Sequence, residues 1–261
     1  MISAAEELDC PVMINHAQGH EPVIKMEIIA PIMKEYAEKA AVPVCMHIDH
    51  GHDLAFCMRA VKAGFTSIMY DRSEDPLAVN IAKVKGFIEL VKPLDITVEA
   101  ELGAMPNNMP TCVPGQEKSD LSDLSQYFTK VDEAKRFCEE TGVDALTISF
   151  GTIHGIYEGK SNLDIQRVKD IKAAIKNTET SLVMHGASGT ETDQIVTAIN
   201  AGIRKINYFT GIDTAVTPYF TDFINKADGK PVNFSVLVNI AMEVLHDKCR
   251  EVMSVFLSGK N

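Results

Sequence analysis

Three histidines stand where apolar, strand-like runs give way to glycine. The run 44–46 leads into His47-Ile48-Asp49-His50-Gly51, the run 145–150 into Gly151-Thr152-Ile153-His154-Gly155, and the run 181–184 into His185-Gly186-Ala187-Ser188-Gly189. Neutral imidazole nitrogens suit zinc, and three of them leave a coordination position open for a substrate. His50, His154 and His185 are therefore expected to form a metal site. The bland alternative is that each is a packed or solvated residue. Among the other histidines, His47 reads as an inward packing residue, His52 as a loop residue and His246 as a residue on a helix surface; His16 and His20 have no assigned role.

Carboxylates accompany the histidines. Asp49 precedes His50, so both can serve one site only where the chain leaves its strand. An aspartate beside a dication can move a proton on and off a substrate hydroxyl; alternatively it orients a ligand histidine. Glu99 and Glu101 flank Ala100 at a strand end, where alternation sends both to one side. With Asp71, at the end of another strand, they could hold a second cation, offer zinc an alternative position, or form a hydrogen-bond network. Glu101 is the better functional candidate, and Glu99 reads equally well as an inward polar residue. Gly155, Gly186, Ser188, Asn207 and Thr210 suggest an anion pocket, because glycine lets backbone N–H groups approach a phosphate and a helix N-terminus adds partial positive charge. Ser188 also fits a plain helix cap.

Alternating strands and helices would position these groups. Strand-like runs begin at Pro11, Pro43, Thr66, Ile96, Ala145, Leu182 and Ile203. Helical patterns cover 22–39, 54–62, 76–91, 129–141, 164–176, 191–200 and 210–257, the last broken near Gly229-Lys230-Pro231. Strands bounded by helices imply a mostly parallel sheet. Polar candidates clustered after strand C-termini fit a (β/α)₈ barrel, with an open doubly wound sheet as the alternative. The polar stretch 103–125 reads as a long functional loop.

Size and charge narrow the function. A chain of 261 residues with 46% hydrophobic content suits a single domain over 1–261. A net charge of −11 argues against nucleic acid and against an anionic membrane surface. No GxGxxG or P-loop signature occurs, and no apolar run reaches membrane-spanning length. The cysteines Cys10, Cys45, Cys57, Cys112, Cys138 and Cys249 lack metal-site spacing and read as reduced, mostly buried thiols of a cytoplasmic protein.

With those residues in place, the chain resembles the class II (zinc-dependent) fructose-bisphosphate and tagatose-bisphosphate aldolase family. The resemblance runs from Ala4-Ala5-Glu6-Glu7 to Ser258-Gly259-Lys260. It is carried by His47-Ile48-Asp49-His50-Gly51, Ala63-Gly64-Phe65-Thr66-Ser67-Ile68-Met69, Val98-Glu99-Ala100-Glu101-Leu102-Gly103, Gly151-Thr152-Ile153-His154-Gly155, His185-Gly186-Ala187-Ser188-Gly189 and Lys205-Ile206-Asn207. It implies a barrel in which His50, His154 and His185 bind zinc and Glu101 is a carboxylate linked to the metal region; Asp71 stays a candidate for a second cation, and a monovalent cation is a further cofactor to expect beside zinc. Asp49 would be the acid/base, and Gly155, Gly186, Ser188, Asn207 and Thr210 would hold a substrate phosphate. The implied substrate is a small sugar phosphate, and the implied assembly a homodimer or homotetramer.

The departures from the family pattern are specific. The family begins with a strand and part of a helix ahead of the segment matching residues 1–7, so the barrel is expected to lack its first strand. The loop Ala104-Met105-Pro106-Asn107-Asn108-Met109-Pro110 lacks the family's acid-bearing segment, and Glu117 and Asp120 are the candidates to substitute for it. Glu158 occupies the place of a phosphate-binding lysine, with Lys160 nearby. Tyr208 and Phe209 replace smaller or polar residues, and Ala17 stands where many relatives have serine. Ala187 and the missing lysine look more like the tagatose-type and other sugar-aldolase branches. The leading expectation is an aldolase releasing a dihydroxyacetone-phosphate-like fragment. The alternatives are a non-catalytic binding relative and an aldolase for an unphosphorylated or acidic sugar.

Overall fold

A computed structural model describes residues 1–108, 120–155, 157 and 159–259. Seven strands form one parallel sheet: β1 (Val12–Ala17), β2 (Val44–Gly51), β3 (Ser67–Tyr70), β4 (Thr97–Leu102), β6 (Ala145–Ile148), β8 (Ser181–Met184) and β9 (Ile203–Ile206). They pair in the order β1-β2-β3-β4-β6-β8-β9, so each strand lies beside its predecessor in this series. The sheet curls as in a TIM barrel, as the strand count and the resemblance led us to expect. It stays open between β1 and β9, each of which pairs on one side only among the described residues. Two further segments, β5 (Asn107–Asn108) and β7 (His154–Gly155), pair with each other in a separate ribbon.

Helices return the chain between strands: α2 (Met26–Lys39), α3 (Leu54–Ala63), α4 (Leu77–Val91), α5 (Val131–Thr141), α6 (Ile165–Ala174) and α7 (Thr192–Ala201). Their apolar faces meet the outward side chains of the strands. Met46 and Ile48, Ile68, Val98 and Ala100, Leu146 and Ile148, Leu182 and Met184 all join one buried cluster with Phe56, Phe87, Phe137 and Ile171. The alternate strand positions point into the curl, and there the layer is polar: His47, Glu99 and Thr147 are all buried. That alternation is the strand period of two at work.

Several boundaries differ from the sequence reading. The helix expected from residue 22 begins at Met26, because 18–24 form a short 3-10 turn and a loop. A helix not expected at all, α1 (Ile2–Glu7), precedes β1. The expected C-terminal helical stretch divides into α8 (Thr210–Asp213), α9 (Thr217–Lys226) and α10 (Phe234–Ser258). Its second break falls near Gly229, as anticipated, and α10 packs against α1 and α7. No helix among the described residues is long and apolar enough to cross a membrane.

Candidate active site

The C-terminal ends of the strands open into a cleft of about 2840 Å³ that continues along the gap between β1 and β9. Most site candidates line it: Asp49, His50, Asp71, Glu101, His154, Gly155, His185, Gly186, Ser188, Asn207 and Thr210. The three histidines arrive differently from the expectation that each follows a strand of the sheet. His50 lies within β2, and His185 directly follows β8. His154 sits six residues past β6, on the small β5–β7 ribbon.

His50 has a left-handed backbone, φ 48°, beside a register shift between Ile48 and Gly51. A bulge of this kind re-aims side chains. It explains how neighbouring residues serve one site: Asp49 Oδ1 and His50 Nε2 lie 4.0 Å apart. One donor atom from each of His50, His154 and His185 lies within 4.8 Å of the others. A second such group joins His50, Asp71 and Glu101.

The proton states follow from the partners. His50 Nδ1 is 2.7 Å from Asp71 Oδ2, leaving Nε2 to face His185 Nδ1 at 3.1 Å. Burial alone would lower the His50 pKa, but the Asp71 hydrogen bond and the Asp49 charge raise it to about 10. The same hydrogen bond, opposing burial, holds Asp71 below the usual carboxylate range. Burial, with the neighbouring histidines, lowers His154 to about 3. Burial also lowers His185 despite its hydrogen bond with Glu99. Burial works against ionisation of Asp49, yet His50, His185 and Lys205 bring it down to about 2. Burial and the Asp71 charge push Glu101 well above its ordinary value.

These states describe residues suited to a cation. Glu101 Oε2 is buried with no hydrogen-bond partner. Two neutral imidazoles converge on an imidazolium that a metal would have to deprotonate. The donor set is nitrogen with carboxylate oxygen, which fits zinc.

Glu99 is the inward polar residue of the sequence reading's plainer alternative, buried and met by neighbours on both oxygens, and it belongs to neither candidate metal group. Its Oε1 contacts His185 Nε2 at 3.0 Å and accepts from Thr147 Oγ1 at 2.9 Å. Its Oε2 pairs with Lys205 Nζ at 2.8 Å. Burial raises its pKa, but the Lys205 charge and the His185 hydrogen bond outweigh that and hold it well below the usual range. An ionised carboxylate can only accept, so His185 carries its proton on Nε2 and leaves the Nδ1 lone pair facing the cluster. His47, buried, bonds Ser67 through Nδ1 at 2.8 Å, and burial lowers its pKa to about 3. His52 is exposed.

The glycine-rich loops that carry His154 and His185 also line the cleft. Gly186 has φ +66°, and a Cβ there would lie 2.3 Å from the Ile153 carbonyl oxygen. The loops carrying His154 and His185 therefore touch backbone to backbone. The Tyr157 hydroxyl joins them, accepting from Ile153 N–H and donating to Gly186 C=O, each at 3.1 Å. Nothing in the sequence marked Tyr157. Ser188 Oγ accepts from Gly211 N–H at 3.0 Å, which brings the start of α8 beside Ser188.

Other sequence candidates fall elsewhere. Asp120 is exposed, holds Ser122 N–H at 2.9 Å and does not line the cleft. Lys160 is exposed and also lies outside the lining. Glu117, Glu158 and Cys112 lie outside the described residues. Phe209 lines the cleft mouth and packs on His20, with ring centroids 5.4 Å apart. That contact bridges the loops that follow β1 and β9. Ala17 and Tyr208 also line the cleft.

A family model described as fructose-bisphosphate aldolase class-II matches residues 1–261. A probable fructose-bisphosphate aldolase of Bacillus subtilis is 34% identical over 214 residues, covering 79% of this chain and 70% of that protein. A 6-phospho-5-dehydro-2-deoxy-D-gluconate aldolase of Bacillus licheniformis is 34% identical over 79% of this chain and 68% of its own. The crystal structure of the YdjI aldolase from Escherichia coli K12 superposes with a TM-score of 0.82 at 31% identity, covering 99% of this chain and 86% of that one.

Proposed function

Because the chain belongs to the class-II fructose-bisphosphate aldolase family, we propose that it is a zinc-dependent aldolase that reversibly cleaves a phosphorylated ketose. The products would be a dihydroxyacetone-phosphate-like fragment and an aldehyde. The observation that carries this reading is the convergence of the His50, His154 and His185 donors within 4.8 Å. Those residues would hold the ion, with Glu101 as an alternative position and Asp71 available to a second, monovalent cation. Zinc bound there would supply Lewis-acid polarisation of the substrate carbonyl.

The chain's own groups do the rest. Asp49 is ionised and accepts from Asn207 Nδ2 at 2.9 Å. It takes the proton from the hydroxyl beside the breaking carbon–carbon bond and returns it in the reverse direction. Gly155, Gly186, Ser188, Asn207 and Thr210 hold the phosphate, with backbone N–H groups free to approach where glycine leaves room. We infer a cytoplasmic homodimer or homotetramer acting on small molecules, with no nucleic-acid or membrane partner. Chelator-stripped protein should cleave no ketose phosphate, and added zinc should restore cleavage. Zinc-replete protein that turns over no ketose phosphate, with Asp49→Asn changing nothing, rejects the proposal in favour of a non-catalytic relative that binds metal or sugar phosphate.

A second reading keeps the chemistry and changes the substrate to an acidic sugar. The Bacillus licheniformis relative, named for a phosphorylated sugar acid, favours it. Comparing kcat/KM for neutral ketose phosphates and ketonic sugar-acid phosphates separates the two.

A further inference from the structure

The cleft holds a buried cation that the aldolase reading leaves unused. Lys205 sits on β9, two residues before Asn207, with its side chain largely buried. Its ammonium touches two groups. Nζ pairs with Glu99 Oε2 at 2.8 Å and donates to Asn207 Oδ1 at 2.6 Å. Each partner passes the contact on. Glu99 Oε1 meets His185 Nε2 at 3.0 Å, and Asn207 Nδ2 donates to Asp49 Oδ1 at 2.9 Å.

We propose that Lys205 is a positioning residue that sets both arms of the site at once, orienting the metal-facing imidazole of His185 through Glu99 and the base Asp49 through Asn207. The proposal rests on the zinc site of the proposed function for its first arm and on the aldolase chemistry for its second. A carboxylate that holds the far nitrogen of a ligand histidine fixes the ring and its tautomer. Thr147 Oγ1 holds Glu99 at Oε1, the oxygen that meets His185, and Lys205 is the cation that holds the carboxylate at Oε2 and keeps it ionised. On the other arm, a primary amide can rotate, and Lys205 locks Asn207 with its oxygen toward the ammonium and its NH₂ toward Asp49. The strand geometry makes the double contact possible, since Lys205 and Asn207 are two residues apart and share a face of the chain, and β9 pairs with β8, which His185 directly follows.

Lys205 does not touch the metal position or the reacting atoms in this account, so its test must separate positioning from mere support of the fold. Removing one member of a buried ion pair destabilises more than removing both. We therefore use four proteins: wild type, Lys205→Met, Glu99→Gln, and the two changes combined. Zinc affinity is measured without substrate, by competition with a chromogenic chelator. The hydrogen-bonded imidazole N–H signal of His185 is followed by NMR in metal-free protein. Turnover is measured at saturating zinc.

Lys205→Met should weaken zinc binding about tenfold or more, the usual effect of losing a partner that orients a metal-binding histidine. Glu99→Gln should do the same, and the double variant should bind no more weakly than Glu99→Gln alone, because both changes act through one contact. The His185 signal should be lost or shifted in Lys205→Met. At saturating zinc, Lys205→Met and the double variant should lose kcat with little change in KM, while Glu99→Gln loses less. The proposal is overturned if Lys205→Met keeps wild-type zinc affinity and an unchanged His185 signal, or if the zinc losses of the two single changes add. Should the wild type cleave no ketose phosphate, the substrate reading fails by itself. The zinc and imidazole measurements still decide what Lys205 does.

Discussion

At the scale of single residues, the site is an arrangement of proton states. His50 is an imidazolium in metal-free protein, its pKa carried to about 10 by Asp71 and Asp49 against the effect of burial. A raised histidine pKa contributes stability that is complete below the unfolded value, about 6.5, and is lost as pH rises through about 10. A metal at His50 Nε2 must displace that proton. Zinc affinity should therefore rise with pH through the neutral range, and zinc binding near pH 7 should release a proton. Titration calorimetry in buffers of different ionisation enthalpy measures this release, and a binding heat indifferent to buffer would refute it. Asp49 makes a separate prediction. Asp49→Asn keeps the shape and removes the base, so kcat should fall by about 10²–10⁴, the usual contribution of a positioned acid/base group. Zinc stoichiometry should stay unchanged; its loss would move Asp49 from base to metal support.

At the scale of elements, what matters is how strand ends and loops bring distant residues together. The β-strands were legible because apolar runs ended abruptly in polar residues and glycine, and the side to which Glu99 and Glu101 point followed from alternation. What Glu99 meets was not legible. Its partners His185 and Lys205 come from β8 and β9, and no local pattern records which inward side chains of three strands will touch. The short helix α1 was missed because six residues show little periodicity, and α2 begins late because the segment around His20 turns before it coils. His154 fitted the pattern of a histidine followed by glycine, yet its position on the β5–β7 ribbon depends on a pairing with Asn107 and Asn108 that the polar loop did not advertise. The contact between the two glycine loops carries its own prediction. Gly186→Ala would drive a methyl group into the Ile153 carbonyl at a backbone angle that L residues rarely adopt. It should cost about 1–3 kcal/mol of stability and weaken binding of a phosphorylated substrate. Tyr157→Phe removes one hydroxyl from the same junction and leaves the ring, so it should raise KM more than it lowers kcat. An unchanged KM would show that the loops hold their places without that hydroxyl.

At the scale of the whole molecule, the parallel sheet curls without meeting itself among the described residues. β3, β4 and β6 have strand neighbours on both sides, whereas among the described residues β1 and β9 each pair on one side only. The lining of that gap is mainly apolar, with Val12, Met13, Ile203, Val252, Met253 and Phe256 along it. Unpaired edges are where a sheet opens first and where other chains add on. Lys205 and Asn207 belong to one of those edges, so the orientation of Asp49 and His185 depends on the least supported strand of the sheet. Amide hydrogen exchange should show this gradient directly. Protection should be greatest in β3, β4 and β6 and least in β1 and β9, because local opening needs fewer broken contacts at the edges. Zinc should protect β9 more than β3, since Lys205 and Asn207 on or beside β9 tie that edge to the metal-facing His185 and to Asp49. Equal protection of β1, β9 and the central strands in dilute metal-free protein would mean that the gap is covered in solution, and the site would then stand on a closed wall rather than an open edge.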